Sequence, residues 1–131
     1  MADILETASN AGTFNTLVKA VEAAGLVDTL KTPGPYTVFA PVDEAFNRLP
    51  EGALDQLLQD VSKLKKIVAY HVVFGDVRAE DLLEIEEAET VEGSVLVIDT
   101  TKGYKVNQAI VLQPDILTDN GVIHAIDSIL M

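Results

Sequence analysis

The spacing of the apolar residues changes halfway along the chain, and this change limits the folds that the chain can adopt. In the first half they recur at the three- and four-residue spacing of a helix face, first at Phe14, Leu17, Val18, Val21 and Ala24. Thr13 is placed to cap the start of this helix and Gly25 to end it. In the second half, short strand-like runs alternate with turn signals. Helices followed by strands favour a segregated α+β domain over an alternating parallel sheet.

The same rules place the remaining elements. Residues 36–40 predict a buried strand, and residues 41–46 a helix with acidic residues in its first turn. A helical pattern continues over residues 54–61, and a further helix from residue 64 turns His71 inward. The strand-like runs lie at residues 95–98, 104–106, 109–112 and 122–126. In the last run His124 shares a face with Val122 and Ile126.

Residues 76–92 form an acidic segment, with eight carboxylates against a single basic residue, Arg78. Interleaved leucine and isoleucine residues predict a short helix followed by an acidic loop. Plain solvation is the simplest interpretation of the carboxylates, and loose calcium binding is the alternative.

Length and charge exclude several classes of protein. The 131 residues suit one domain, residues 1–131, and a hydrophobic content of 48% argues against disorder. A formal charge of −12 repels phosphate backbones, so nucleic acid is excluded as a partner. No apolar stretch approaches the ~20 residues that span a bilayer, so we expect no direct membrane insertion. The absence of cysteine excludes a disulfide scaffold and a thiol nucleophile.

Three ordered motifs carry a family resemblance. Residues 36–46, Tyr-Thr-Val-Phe-Ala-Pro-Val-Asp-Glu-Ala-Phe, resemble the first signature of fasciclin domains, and residues 120–130 are similar to the closing one. Tyr70-His71-Val72-Val73 matches the central tyrosine-histidine motif. The resemblance implies a single domain with a wedge-like β-sandwich and a helical layer from the N-terminal half. It also implies cell adhesion or matrix contact at an extracellular or cell-surface location, whereas the residues themselves assign no compartment.

The resemblance also supplies candidate partner-binding residues. Residues 113–117 resemble a short aspartate-isoleucine sequence through which animal matrix relatives are thought to engage integrins, so Asp115 and Ile116 are the first candidates. An exposed carboxylate can reach such a receptor through a bound cation. Tyr70 and His71 resemble a second integrin-facing motif. The simpler interpretations are an edge strand or a turn at Asp115 and a core residue at His71.

Catalytic and metal sites are not expected. Ser128 and His124 lie four strand positions apart, roughly 13 Å along an extended chain, which is too far for a triad with Asp127. No phosphate-binding or dinucleotide-binding glycine motif occurs, and the two histidines lack zinc-ligand spacing. We therefore expect a non-enzyme without cofactor or metal, in which both histidines are structural.

Two functional classes remain open. The first is an adhesion or matrix-interaction module that binds a protein or cell-surface partner, with an integrin-like receptor implied only by the resemblance. The second is a small-molecule or lipid-binding domain that uses an apolar cleft. An exposed apolar patch would favour the first and an enclosed cavity the second. In either case we expect a monomer.

Overall fold

The computed structural model describes residues 3–32, 35–49, 52–101, 103–107 and 109–130. The helices are α1 (Ile4–Ala11), α2 (Asn15–Ala24), α3 (Val27–Leu30), α4 (Asp43–Asn47), α5 (Ala53–Gln59), α6 (Val61–Tyr70) and α7 (Ala79–Leu82). The strands are β1 (Tyr36–Pro41), β2 (Val72–Phe74), β3 (Glu87–Glu89), β4 (Val95–Asp99), β5 (Lys105–Val106), β6 (Ala109–Thr118) and β7 (Gly121–Ile126). The predicted α+β class is confirmed, and α1 to α6 all precede His71.

The strands form one sheet in the order β2-β1-β7-β6-β5-β4-β3. β1 and β7 run parallel, and the other neighbours are antiparallel. A bridge between Val73 and Thr90 brings the two ends of the sheet together, so the sheet folds over on itself. This arrangement fits the expected wedge-like β-sandwich.

Two apolar cores flank the central strands. The first lies between the helices and one face of β1 and β7, and it contains Ile123 and Ala125. The second lies between the halves of the folded sheet, and it contains Phe39 and Ile126. His124 stacks on Phe39 with ring centroids 5.4 Å apart, so the predicted alternation of side chains along β7 is confirmed.

Several local expectations are corrected. Thr13 does not cap α2, because the carboxylate of Asp43 accepts the hydrogen bond from Thr16 N at 2.9 Å, whereas Gly25 ends the helix as expected. The pattern over residues 54–61 is interrupted at Asp60, which caps α6. The sequence patterns missed α1, β2 and β3, and β6 continues to Thr118, well beyond the run at 109–112.

Candidate binding surface

Asp115 lies in an irregular part of β6. The register between β6 and β7 shifts on both sides of Gln113, and Asp115 takes a left-handed backbone conformation with φ 58°. Its backbone N–H donates to Nδ1 of His124 at 3.2 Å, and its Oδ1 accepts a hydrogen bond from Ala79 N at 2.8 Å. Asp115 is exposed and at the same time holds the first residue of α7. The edge or turn expected at this position is therefore a bulged strand segment.

His124 joins this segment to the loop before α7. The residue is fully buried, and its Nε2–H donates to the carbonyl of Val77 at 2.7 Å while Nδ1 accepts from Asp115. The hydroxyl of Thr37 secures the same loop by accepting from Val77 N at 2.8 Å and donating to the carbonyl of Gly75 at 2.7 Å. Burial lowers the pKa of His124, although its bond to Val77 and the charges of Asp115 and Asp76 oppose this. His124 is thus a neutral, hydrogen-bonded core residue.

Ile116 is half-buried and differs from Asp115 in its surroundings. It lies opposite Ile123 in the β6–β7 pair and packs against the core on the helical side. Ile116 therefore combines a small exposed area with a packing role.

Tyr70 and His71 end α6, and only the tyrosine reaches the surface. Tyr70 is half-buried, and its hydroxyl donates to the carbonyl of Val95 at 3.3 Å and accepts from Asn107 Nδ2 at 3.0 Å. It lines an open cleft of about 320 Å³ together with Lys66, Ile67, Glu92 and Ser94.

His71 is only 2% exposed. Its Nδ1–H donates to the carbonyl of Ile67 at 2.7 Å, and its Nε2 accepts from Leu130 N at 2.9 Å. Burial lowers the pKa of His71 to about 4, against the opposing effect of the bond to Ile67. The expected inward orientation is confirmed, and a buried ring with both nitrogens engaged offers no contact surface to a partner.

The two candidate pairs have different neighbours. Asp115 contacts the start of α7, whereas Tyr70 contacts β4 and the turn before β6. The structure therefore presents them as separate features.

An exposed apolar sheet face escaped the sequence patterns. Val95 and Val97 in β4 are 41% and 55% exposed, and Ile110 and Leu112 in β6 are 46% and 56% exposed. In β4, Val95 and Val97 alternate with the buried Leu96 and Ile98. Ile110 shares their face, the outer face of the sheet, because it lies opposite Lys105, which lies opposite Asp99 in β4. The unbroken apolar run at 95–98 suggests burial on both faces. No signal in the sequence indicates that one face stays open.

The side chains considered for a triad and the possible metal ligands can be located in the described part of the structure. Ser128 Oγ donates to Asp127 at 3.2 Å, but both nitrogens of His124 are engaged with Val77 and Asp115. A serine-histidine-aspartate triad is therefore not formed. Over the described ranges no group of three or more histidine and acidic side chains could hold a metal ion. Across the same ranges no helix has the length and hydropathy needed to cross a membrane.

Comparisons with known proteins give a consistent result. Residues 12–131 match the fasciclin domain family. An uncharacterized protein of Synechocystis is 47% identical over 131 residues, covering 100% of this chain and 98% of the relative. The transforming growth factor-beta-induced protein ig-h3 of Sus scrofa is 33% identical over 99% of this chain, which spans 19% of that protein.

A solved structure shows the same fold. A domain pair from the insect cell adhesion molecule fasciclin I superposes with a TM-score of 0.80 at 20% identity, covering 99% of this chain and 51% of that one. At this identity the likeness concerns the fold alone.

Proposed function

The chain belongs to the fasciclin domain family, a family found in adhesion proteins, and on that basis we propose that it is a non-catalytic adhesion or matrix-interaction module. It binds a protein or cell-surface partner, acts as a monomer, and works at an extracellular or cell-surface location. The proposed contact surface, here called the outer face, consists of Val95, Val97, Ile110 and Leu112.

The exposure of the outer face is the observation that carries the proposal. Exposed apolar residues are ordinary when scattered singly, but several on one face favour an interaction site because a partner removes them from water. The main clefts among the described residues are open and partly lined by charged residues, and one of them is lined by Glu87 and Glu89. An open apolar face with open clefts favours a partner surface over the small-molecule or lipid alternative.

Asp115 is a second proposed contact residue on β6, separate from the outer face because its side chain contacts the start of α7. It lies three residues beyond Leu112, and the exposed Leu117 follows it on the same strand. Among the described residues, β5 pairs with Ala109 and Ile110 at the start of β6, and Val111 N donates to the carbonyl of Tyr104 just before β5. The rest of β6 therefore has an edge that faces away from β7.

An integrin-like receptor is the finer form of this proposal. Oδ1 of Asp115 is used by Ala79, but the residue is exposed and a carboxylate has acceptor capacity for a receptor-bound cation as well. Ile116 adds contact area beside it. Tyr70 is a second contact residue, and the buried His71 contributes by fixing the end of α6 beneath it.

Attachment of cells to immobilised protein tests the outer face. The double variant Val97→Ser, Leu112→Ser should keep its melting temperature, because both side chains are about half exposed, and should lose attachment. The matched control is Val61→Ser, Leu83→Ser, which removes two equally exposed apolar side chains from elsewhere on the surface. Equal attachment by both variants would show that the outer face is not the contact.

Asp115→Asn tests the cation-bridged contact separately. The asparagine oxygen can still accept from Ala79 N, so stability should change by less than about 0.5 kcal/mol while receptor binding is lost. Asp28→Asn, at an exposed position distant from Asp115 in the sequence, controls for the change in net charge. Unchanged binding by folded Asp115→Asn would remove Asp115 from the site and leave the outer face untouched.

A further inference from the structure

A cleft opens where the two terminal strands of the sheet separate. β2 and β3 meet at the bridge between Val73 and Thr90, and Val91 N donates to the carbonyl of Val72 at 2.8 Å beside it. β2 then ends at Phe74, where the chain bends at Gly75 with φ 103°, a conformation that favours glycine. The cleft between the diverging strands measures about 530 Å³, within the ~300–1,000 Å³ range of ligand sites.

The backbone of β3 has a side that faces this cleft. Ile98 N donates to the carbonyl of Glu86, and Thr90 N donates to the carbonyl of Ser94, both at 2.8 Å, so Glu86 and Thr90 direct these groups toward β4. Backbone groups alternate in direction along an antiparallel strand, so Glu87 directs its N–H and carbonyl away from β4. β3 is a terminal strand in the sheet order of the described residues. Glu87 therefore presents the kind of backbone edge to which a further strand can pair.

The side chains around this edge differ on its two faces. Glu87 and Glu89 are exposed, whereas Ala88 between them is buried in the second core. Val77 and Ile85, both partly buried against that core, line the inner part of the cleft. Its rim is acidic, because the only basic residue of segment 76–92 is Arg78, which pairs with Asp76 at 3.2 Å.

We propose that this cleft binds an extended segment of a partner protein, in which basic and apolar side chains alternate, as an added strand along β3. Side chains of an added strand alternate with a period of two. Those on the outer side meet Glu87 and Glu89 and are basic, and those between them enter the cleft toward Val77 and Ile85 and are apolar. The proposal concerns the edge of β3 that faces away from β4. It does not depend on the outer face, although Glu87 and Glu89 lie directly opposite Val97 and Val95 in the β3–β4 pair.

Fluorescence anisotropy with synthetic peptides tests the proposal. The probe is a labelled peptide of about six residues, the usual strand length, that alternates lysine and valine, used at a concentration at which it does not self-associate. One control peptide carries glutamate in place of lysine, and a second has the same composition with lysines and valines in two separate blocks. We expect saturable binding of the alternating peptide alone, weakened by added salt. Equal binding of the block peptide would overturn the proposal, since charge without strand pairing would then suffice.

Variants of the protein locate the site. Glu87→Gln, Glu89→Gln should weaken binding about threefold to tenfold, because two exposed ion pairs are lost. Glu80→Gln, Glu84→Gln, which makes the same charge change on the same segment but outside the cleft, should not. An equal loss of peptide affinity in both double variants would show that net charge alone attracts the peptide, and would contradict the site.

Glu87→Pro tests the backbone pairing. Proline removes an N–H that points away from β4, so the ladder with β4 is retained and the circular dichroism spectrum should be unchanged. We expect Glu87→Pro to bind the peptide more weakly than Glu87→Gln. Both variants lack the charge of Glu87, but only the proline variant lacks the backbone N–H donor. If folded Glu87→Pro binds as well as Glu87→Gln, strand addition is wrong. A variant confined to the β6 part of the outer face, Ile110→Ser, Leu112→Ser, should still bind the peptide, because β6 is not a neighbour of β3 in the sheet. This variant separates a failure here from a failure of the adhesion proposal.

Discussion

Each of the two histidines is enclosed and uses both ring nitrogens in hydrogen bonds. His71 joins the end of α6 to Leu130, and His124 joins the bulge at Asp115 to the loop at Val77. Each ring therefore connects segments that are distant in sequence. The sequence shows only that both histidines lie at apolar positions. The fold shows that each ring links separate segments through hydrogen bonds.

Replacing either histidine by alanine should destabilise the protein by ~1–3 kcal/mol. The cost comes from the lost packing and from backbone groups left without a partner, Leu130 N in one variant and the carbonyl of Val77 in the other. Urea unfolding followed by circular dichroism measures the change. Wild-type stability in both variants would contradict the structural role.

The lowered histidine pKa values predict that acidification weakens the fold. The unfolded chain protonates His71 near the ordinary histidine pKa of 6.5, whereas the folded chain keeps it neutral until about pH 4. The stabilisation is therefore complete above pH 6.5 and is lost as the pH falls from 6.5 to about 4, by about 3 kcal/mol for His71. The lowered pKa of His124 acts in the same direction.

Unfolding free energies measured at intervals between pH 7 and pH 4 test this dependence. His71→Gln is the control, since its amide can accept from Leu130 N but does not titrate in this range. It should be less stable than the wild type at pH 7 and should show a flatter pH dependence. An unchanged slope in His71→Gln would show that other groups cause the acid sensitivity.

At the scale of elements, the contact between β1 and β7 depends on one glycine. A side chain at Gly121 would place Cβ 1.8 Å from the carbonyl oxygen of Tyr36, a backbone atom that cannot move without breaking the parallel pair. The Asn-Gly pair that turns β6 into β7 thus also permits the close approach of β1.

Gly121→Ala should therefore destabilise the protein by more than about 3 kcal/mol, as expected for a steric conflict in the core. Gly103→Ala provides the comparison, because nothing lies within 4 Å of the position that its new methyl group would take and only the cost of its φ of 90° remains. Thermal unfolding of both variants measures the difference. A Gly121→Ala variant no less stable than Gly103→Ala would mean that β1 and β7 can separate at little cost.

At the scale of the whole molecule, the two cores share the central strands. β7 contributes Ile123 and Ala125 to the first core and Ile126 to the second, so neither core can form completely without it. A shared strand of this kind favours cooperative unfolding, in which both cores are lost together.

We therefore expect the isolated chain to unfold in a single transition, as a monomer, without any need for metal. Calorimetry with and without chelator should give the same melting temperature, and light scattering should give the mass of one chain. A large drop in melting temperature on adding chelator would contradict the metal-free fold. Two separate transitions would contradict the coupling of the cores.

Local spacing in the sequence was sufficient to predict the features that lie within a single element. Helical periodicity placed α2 and turned His71 inward, and alternation assigned the two faces of β7. These patterns are readable because each element has a fixed period and buries one stripe or face. The four strand-like runs of the second half followed from the same rule.

The remaining features required the tertiary structure, because they depend on residues that are far apart in the chain. The cap of α2 comes from Asp43, and the residue that holds α7 comes from Asp115 in a bulged strand. Val97 and Leu96 are neighbouring apolar residues of β4, but Val97 is exposed and Leu96 is buried. The difference arises because nothing in the described part of the fold covers the face on which Val97 lies. The spacing of apolar residues along an element indicates which of them share a face. Whether that face is buried depends on what packs against it.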